Sequence, residues 1–117
     1  MGAQTPEGKI KSKLAGMLRR LAVWYFFPAA NGMGRAGIPD VICVVNGLFV
    51  GIECKAAPDR KPTALQLQVA ERITEAGGMW FLANSLETID NIETWIKEQQ
   101  RADRGTGQGA GPQAQQP

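Results

Sequence analysis

The sequence predicts an α/β fold in which helices flank a mixed central sheet, with elements in the order helix, three strands, helix, strand, helix. Three observations carry this expectation. Two runs rich in Val, Ile, Phe and Cys flank Asn46-Gly47, the dipeptide that best tolerates the positive φ angles of a two-residue hairpin turn. Apolar residues at helical spacing fill an N-terminal segment and two later ones. Between those later two, after Gly77-Gly78, stands the short apolar run Met79 to Ala83, which reads as a strand.

Taken in order, Thr5-Pro6-Glu7 is a helix start: Thr caps, Pro suits the first helical position, and an acid meets the positive end of the dipole. The helix is expected to run to about Leu21, with Ile10, Leu14, Met17, Leu18 and Leu21 on its apolar stripe. Val23 to Phe27 is β-branched and aromatic and reads as a strand closed by Pro28. Its alternating aromatics pack in the core or, alternatively, offer a stacking surface to a base. The hairpin follows, from Ile38 to Lys55. Thr63 and Gln66 form a capping box for the helix of Leu65, Val69, Ala70, Ile73 and Ala76. Ser85 caps a last helix through Leu86, Ile89, Ile92 and Ile96. Residues 1–100 are expected to form one domain, and 101–117, rich in Gly, Gln and Pro, a disordered tail.

Composition narrows the chemistry. At 117 residues, with 44% apolar and 21% charged residues, the chain supports a single core. No apolar run approaches the roughly 20 residues of a membrane span, and the N-terminus lacks the apolar segment of a secretory signal, so a cytoplasmic protein without a membrane role is expected. Two cysteines, Cys43 and Cys54, and no histidine argue against a protein zinc site and exclude any mechanism with a histidine base. Both cysteines point inward and read as free thiols, a disulfide being the alternative. Charge is uneven: residues 1–61 carry nine Lys/Arg against four Asp/Glu, and residues 62–117 four against seven. The basic half is either a solvated surface or a phosphate-binding face, with Lys9, Lys11, Lys13, Arg35, Arg60 and Lys61 as its candidate contacts.

The hairpin supplies the sharpest clue. With Asn46 and Gly47 as loop residues, Val45 pairs with Leu48 and Asp40 falls opposite Glu53. Opposed residues have Cβ atoms about 5 Å apart, so two carboxylates there repel unless a cation lies between them. Alternation sends Lys55 to the same face as Glu53 and Cys54 to the other. Both faces of the hairpin are otherwise largely apolar, as in a sheet covered on both sides.

Pro39-Asp40 followed by Glu53-Cys54-Lys55 resembles the PD-(D/E)xK signature of the restriction-endonuclease-like nucleases. The preceding loop Gly32-Met33-Gly34-Arg35-Ala36-Gly37-Ile38, the helix opening Thr63-Ala64-Leu65-Gln66 and Gly77-Gly78 narrow the resemblance to the virus-type replication-repair nuclease (VRR-NUC) domain, over about residues 5 to 97. The resemblance implies the restriction-endonuclease-like α-β-β-β-α-β-α core. It also implies a Mg2+- or Mn2+-dependent endonuclease acting on DNA, with no other small-molecule cofactor. Asp40, Glu53 and the Cys54 backbone carbonyl would hold the ion, joined by Glu7 on the first helix. Lys55 would position or deprotonate the attacking water or stabilise the phosphate's growing charge, and Gln66 would orient the lysine or the water. From the residues alone, Glu7 is equally explained by the helix dipole, Gln66 by its capping box, and the Gly-rich loop carrying Arg35 by a need to turn. Stand-alone domains of this kind are similar to homodimeric nucleases of branched DNA, including four-way junctions. The competing reading is a DNA-binding or assembly protein that keeps the fold without catalysis.

Overall fold

A computed structural model describes residues 4–29 and 36–102 of the chain. Its elements are α1 (Pro6–Arg20), β1 (Trp24–Phe26), β2 (Val41–Val45), β3 (Leu48–Cys54), α2 (Ala64–Glu75), β4 (Met79–Ala83) and α3 (Leu86–Arg101), in the expected order. The strands make one sheet, β1-β2-β3-β4. The first two pairs are antiparallel and β3 runs parallel to β4, so α2 serves as the crossover a parallel pair requires. The sheet is therefore mixed.

The hairpin forms with the turn its sequence demands. Asn46 and Gly47 both take positive φ, 49° and 85°, and the ladder runs from Val45 opposite Leu48 to Val41 opposite Ile52. Asn46 also anchors the turn, since its side-chain Nδ2 donates to the Gln99 carbonyl at 2.7 Å and so fastens it to the last turn of α3. One face of the hairpin presents Val41, Cys43, Val45, Val50, Ile52 and Cys54, all buried. These pack against Ile10, Leu14, Met17 and Leu18 of α1 and Ile89, Ile92 and Ile96 of α3, and this layer is the core. Cys43 and Cys54 lie within it as free thiols, and burial pushes both up to about 12, which leaves them protonated and unreactive.

The opposite face departs from the expectation of a sheet covered on both sides. Among the described residues, α2 and the Pro39 loop lie there, over β3 and β4. Val44 and Phe49 on the hairpin stay exposed, as do Trp24 (64%) and Phe26 (44%) on β1. The aromatics of β1 thus divide: Tyr25 packs against the core, while Trp24 and Phe26 face outward with ring centroids 5.5 Å apart. The alternation was legible, but which face would find a helix was not. Leu65 and Leu86, expected inside, are exposed, each in the first turn of its helix. Arg101, placed by sequence in the tail, still closes α3; the rest of that tail, 103–117, lies outside the described residues. Among the described residues, no helix is long and apolar enough to cross a membrane.

Candidate active site

The charged end of the hairpin is built by its neighbours. Gly37 takes φ 86°, and a Cβ there would stand 2.9 Å from the Leu65 carbonyl oxygen, so the loop leading into β2 lies backbone-close against α2. Pro39 is buried over Gly51, where a Cβ would meet the proline ring at 2.7 Å. A glycine in the middle of β3 thereby makes room for Pro39, and Pro39 sets the position of Asp40. The backbone ladder ends at Val41 opposite Ile52, one residue short of the expected carboxylate rung. Asp40 lies in a bend just before the strand and extends the pairing with its side chain instead: Oδ2 accepts from the Cys54 amide at 2.8 Å.

Glu53 is the buried member of the cluster, 3% exposed. Its Oε2 accepts from Gln66 Nε2 at 2.7 Å and stands 3.7 Å from Lys55 Nζ. Among the described residues its Oε1 is buried with no partner. Burial pushes the Glu53 carboxyl up to about 8; the neighbouring Asp40 adds to the rise and Lys55 opposes it. Beyond Glu53, the Lys55 amide donates to the Ala83 carbonyl at 3.0 Å, so the parallel strand β4 fixes the backbone from which the lysine projects.

Gln66 meets its capping reading and, in place of the expected contact with Lys55 or a water, holds Glu53. Its Oε1 accepts from the Thr63 amide at 2.8 Å and its backbone amide donates to Thr63 Oγ1 at 3.1 Å, which completes the capping box, while Nε2 remains free to hold Glu53. The structure thus brings Asp40, Glu53, Lys55, Gln66 and the Cys54 backbone together. Glu7 reaches them through an intermediary: Lys11 Nζ lies 3.2 Å from Glu7 Oε2 and 3.6 Å from Asp40 Oδ1. Burial would lower the Lys11 pKa, but Asp40 and Glu7 outweigh it and raise it. Lys11, placed by sequence with the phosphate contacts, is therefore an internal partner of the acidic cluster. Lys9, Lys13, Arg60 and Lys61 are exposed, and Arg35 lies outside the described residues.

These residues fit a hard divalent cation. A buried carboxylate with one oxygen bare, next to a second carboxylate, has in Lys55 too little positive charge to offset its burial. Among the described residues no three Asp, Glu, Cys or His side chains stand close enough to hold an ion by themselves. The remaining ligands would be a backbone carbonyl and water, as suits Mg2+ or Mn2+, which take oxygen donors and keep several waters. Sequence reasoning missed two contributors. The packing of Pro39 on Gly51 had as its only signal a glycine amid branched strand residues, and the bridging place of Lys11 had only the four-residue spacing from Glu7.

No family model matches the sequence, and no curated protein does. A solved structure of a VRR_NUC domain is similar with a TM-score of 0.68 and 24% sequence identity, covering 76% of this chain and 95% of that one. The chain therefore has the mixed-sheet, restriction-endonuclease-like fold of a VRR_NUC domain.

Proposed function

We propose that the chain is a Mg2+- or Mn2+-dependent endodeoxyribonuclease that hydrolyses phosphodiester bonds in branched DNA such as four-way junctions, acting as a cytoplasmic homodimer. The observation that carries this reading is the buried Glu53, with Oε1 bare, beside Asp40 and 3.7 Å from the Lys55 ammonium. When bound, the ion would polarise the phosphate and lower the pKa of a water. Asp40 Oδ1, Glu53 Oε1 and the Cys54 carbonyl are the oxygens this chain offers to hold it, with Glu7 available once free of Lys11. The Cys54 amide fixes Asp40 through Oδ2, and Gln66 fixes Glu53 through Oε2, so each carboxylate presents its other oxygen. Lys55 positions the attacking water, takes its proton or meets the charge growing on the phosphate. Lys9 and Lys13 on α1, with Arg60 and Lys61 after β3, give the DNA backbone its contacts.

The homodimer reading draws on the sheet face that stays uncovered among the described residues. Trp24, Phe26, Val44 and Phe49 form an apolar patch without an ionisable side chain, which offers nothing to a phosphate backbone and suits a second copy of itself. It shares its face with the carboxylates but lies toward the hairpin turn, so pairing through it leaves both sites open to one DNA molecule.

The test is cleavage of labelled linear duplex, single strand, flap and four-way junction with Mg2+, Mn2+ or EDTA, beside Lys55→Ala. Metal-dependent cutting confined to branched DNA, falling by about 10²-fold or more in the variant, is expected. Tight DNA binding without cutting under either metal would overturn the nuclease reading in favour of a binding or assembly protein.

A further inference from the structure

The acidic cluster already holds a cation of its own. Lys11 sits one turn beyond Glu7 on α1, and its ammonium lies between Glu7 Oε2 at 3.2 Å and Asp40 Oδ1 at 3.6 Å. An ordinary surface pair between residues four apart on a helix joins two side chains of the same helix. This one reaches across to a carboxylate on the loop before β2, to the Asp40 oxygen that the Cys54 amide leaves free. Glu53 Oε1, by contrast, has no such partner among the described residues. The cluster counts three carboxyl groups (Glu7, Asp40, Glu53) and two ammonium groups (Lys11, Lys55); with Glu53 ionised, as holding a metal requires, it is one positive charge short of neutral. A divalent ion added beside both lysines would carry it past neutrality to a single positive charge, and the ion and the Lys11 ammonium would compete for the same Asp40 oxygen and for Glu7. Like charges held at neighbouring oxygens of one carboxylate cluster repel even where the surroundings screen them in part. One of the two must yield. Lys11 has somewhere to go, because it also lines an open groove of about 440 Å3 with Ser12, Ala15, Arg19 and Phe27.

We propose that Lys11 is a resident counter-ion that competes with the divalent metal for Glu7 and Asp40 and, once displaced into the α1 groove, binds a phosphate of the DNA, a role that rests on the metal-dependent reading above. The metal-free site is thereby held together by a side chain that becomes a substrate contact when the metal arrives. Binding of metal and DNA is then coupled: each releases or engages the same ammonium.

Two equilibria should move in opposite directions when the ammonium is removed. Mn2+ binding by titration calorimetry is expected to tighten about tenfold in Lys11→Met, the change a loss of about 1.4 kcal/mol of competition gives. Arg20→Met, which removes a charge from the same helix but from a residue paired with Glu93, should change it less than about twofold, since screening weakens distant charges. In the uncleaving Lys55→Ala background with Mn2+, adding Lys11→Met should weaken junction binding, and Lys11→Arg should restore it. Unchanged or weaker Mn2+ binding in Lys11→Met would overturn the counter-ion role while leaving the nuclease reading intact. Equal tightening by Arg20→Met would reduce the effect to bulk charge and also overturn it. An unaltered protein that neither binds Mn2+ nor cuts DNA would overturn both.

Discussion

Gln66 shows at the residue scale how one side chain answers two demands. Its carbonyl oxygen caps α2 and its amide nitrogen holds the buried Glu53, so helix start and candidate site share a single residue. Two variants separate these roles. Thr63→Ala removes one half of the capping box and leaves the Glu53 contact; Gln66→Met removes the other half and the contact with it. Both should lower stability by about 1 kcal/mol in urea unfolding, the usual worth of a cap. Only Gln66→Met should also slow cleavage, by about tenfold or more, because Glu53 then loses its orienting donor. An equal loss of cleavage in the two variants would show that the Glu53 contact has no part in the chemistry. That Asp40, Glu53 and Lys55 gather at one end of the hairpin was legible because strand alternation and an Asn-Gly turn fix the register and the face; that Asp40 bonds the Cys54 amide in place of a backbone rung was not. Lys11 was not, because its second partner, Asp40, lies on another element, and no local pattern reports a contact between a helix and a distant loop.

At the scale of the elements, two helices end alike with different residues. In α2 the Gly78 amide returns to the Ile73 carbonyl and Gly77 takes φ 99°; in α1 the Val23 amide returns to the Leu18 carbonyl and Ala22 takes φ 59°. Both are the left-handed closure that glycine fills at no steric cost and that costs other residues roughly 1–2 kcal/mol. Sequence marked the first through Gly77-Gly78 and was silent on the second, since alanine carries no turn signal. The strain at Ala22 is relieved by glycine, partly offset by the greater freedom glycine gives the unfolded chain. Ala22→Gly should therefore raise the unfolding free energy by about 0.5–1 kcal/mol, and Gly77→Ala should lower it by about 1 kcal/mol, both read from the urea midpoint at unchanged slope. A destabilised Ala22→Gly would mean that the alanine methyl is held by contacts that outweigh its backbone strain.

For the whole molecule, the layers are unequal: α1 and α3 roof one face of the sheet, while α2 roofs only the β3–β4 half of the other. Both faces of β2 and β3 read as apolar in sequence, and burial within one chain or between two leaves the same pattern, so the pattern could not say which would occur. Trp24, exposed by 64%, sits across the ladder from Val44, and Val44 from Phe49, a continuous apolar row over three strands. Stable protein interfaces bury about 800 Å2 on each side around such an apolar centre. Placing charges at the centre tests the pairing without touching the carboxylates. The unaltered chain should scatter light as a particle of twice its 12.6 kDa mass. Trp24→Lys with Val44→Lys should halve that mass and leave the far-ultraviolet circular dichroism unchanged, because both side chains already face outward. On a four-way junction the double variant should still nick, through a site whose Asp40, Glu53 and Lys55 are intact, but should lose paired cuts in opposed strands. A single-chain mass for the unaltered protein at tens of micromolar, with paired cutting undiminished, would remove the dimer and leave the apolar row to another partner.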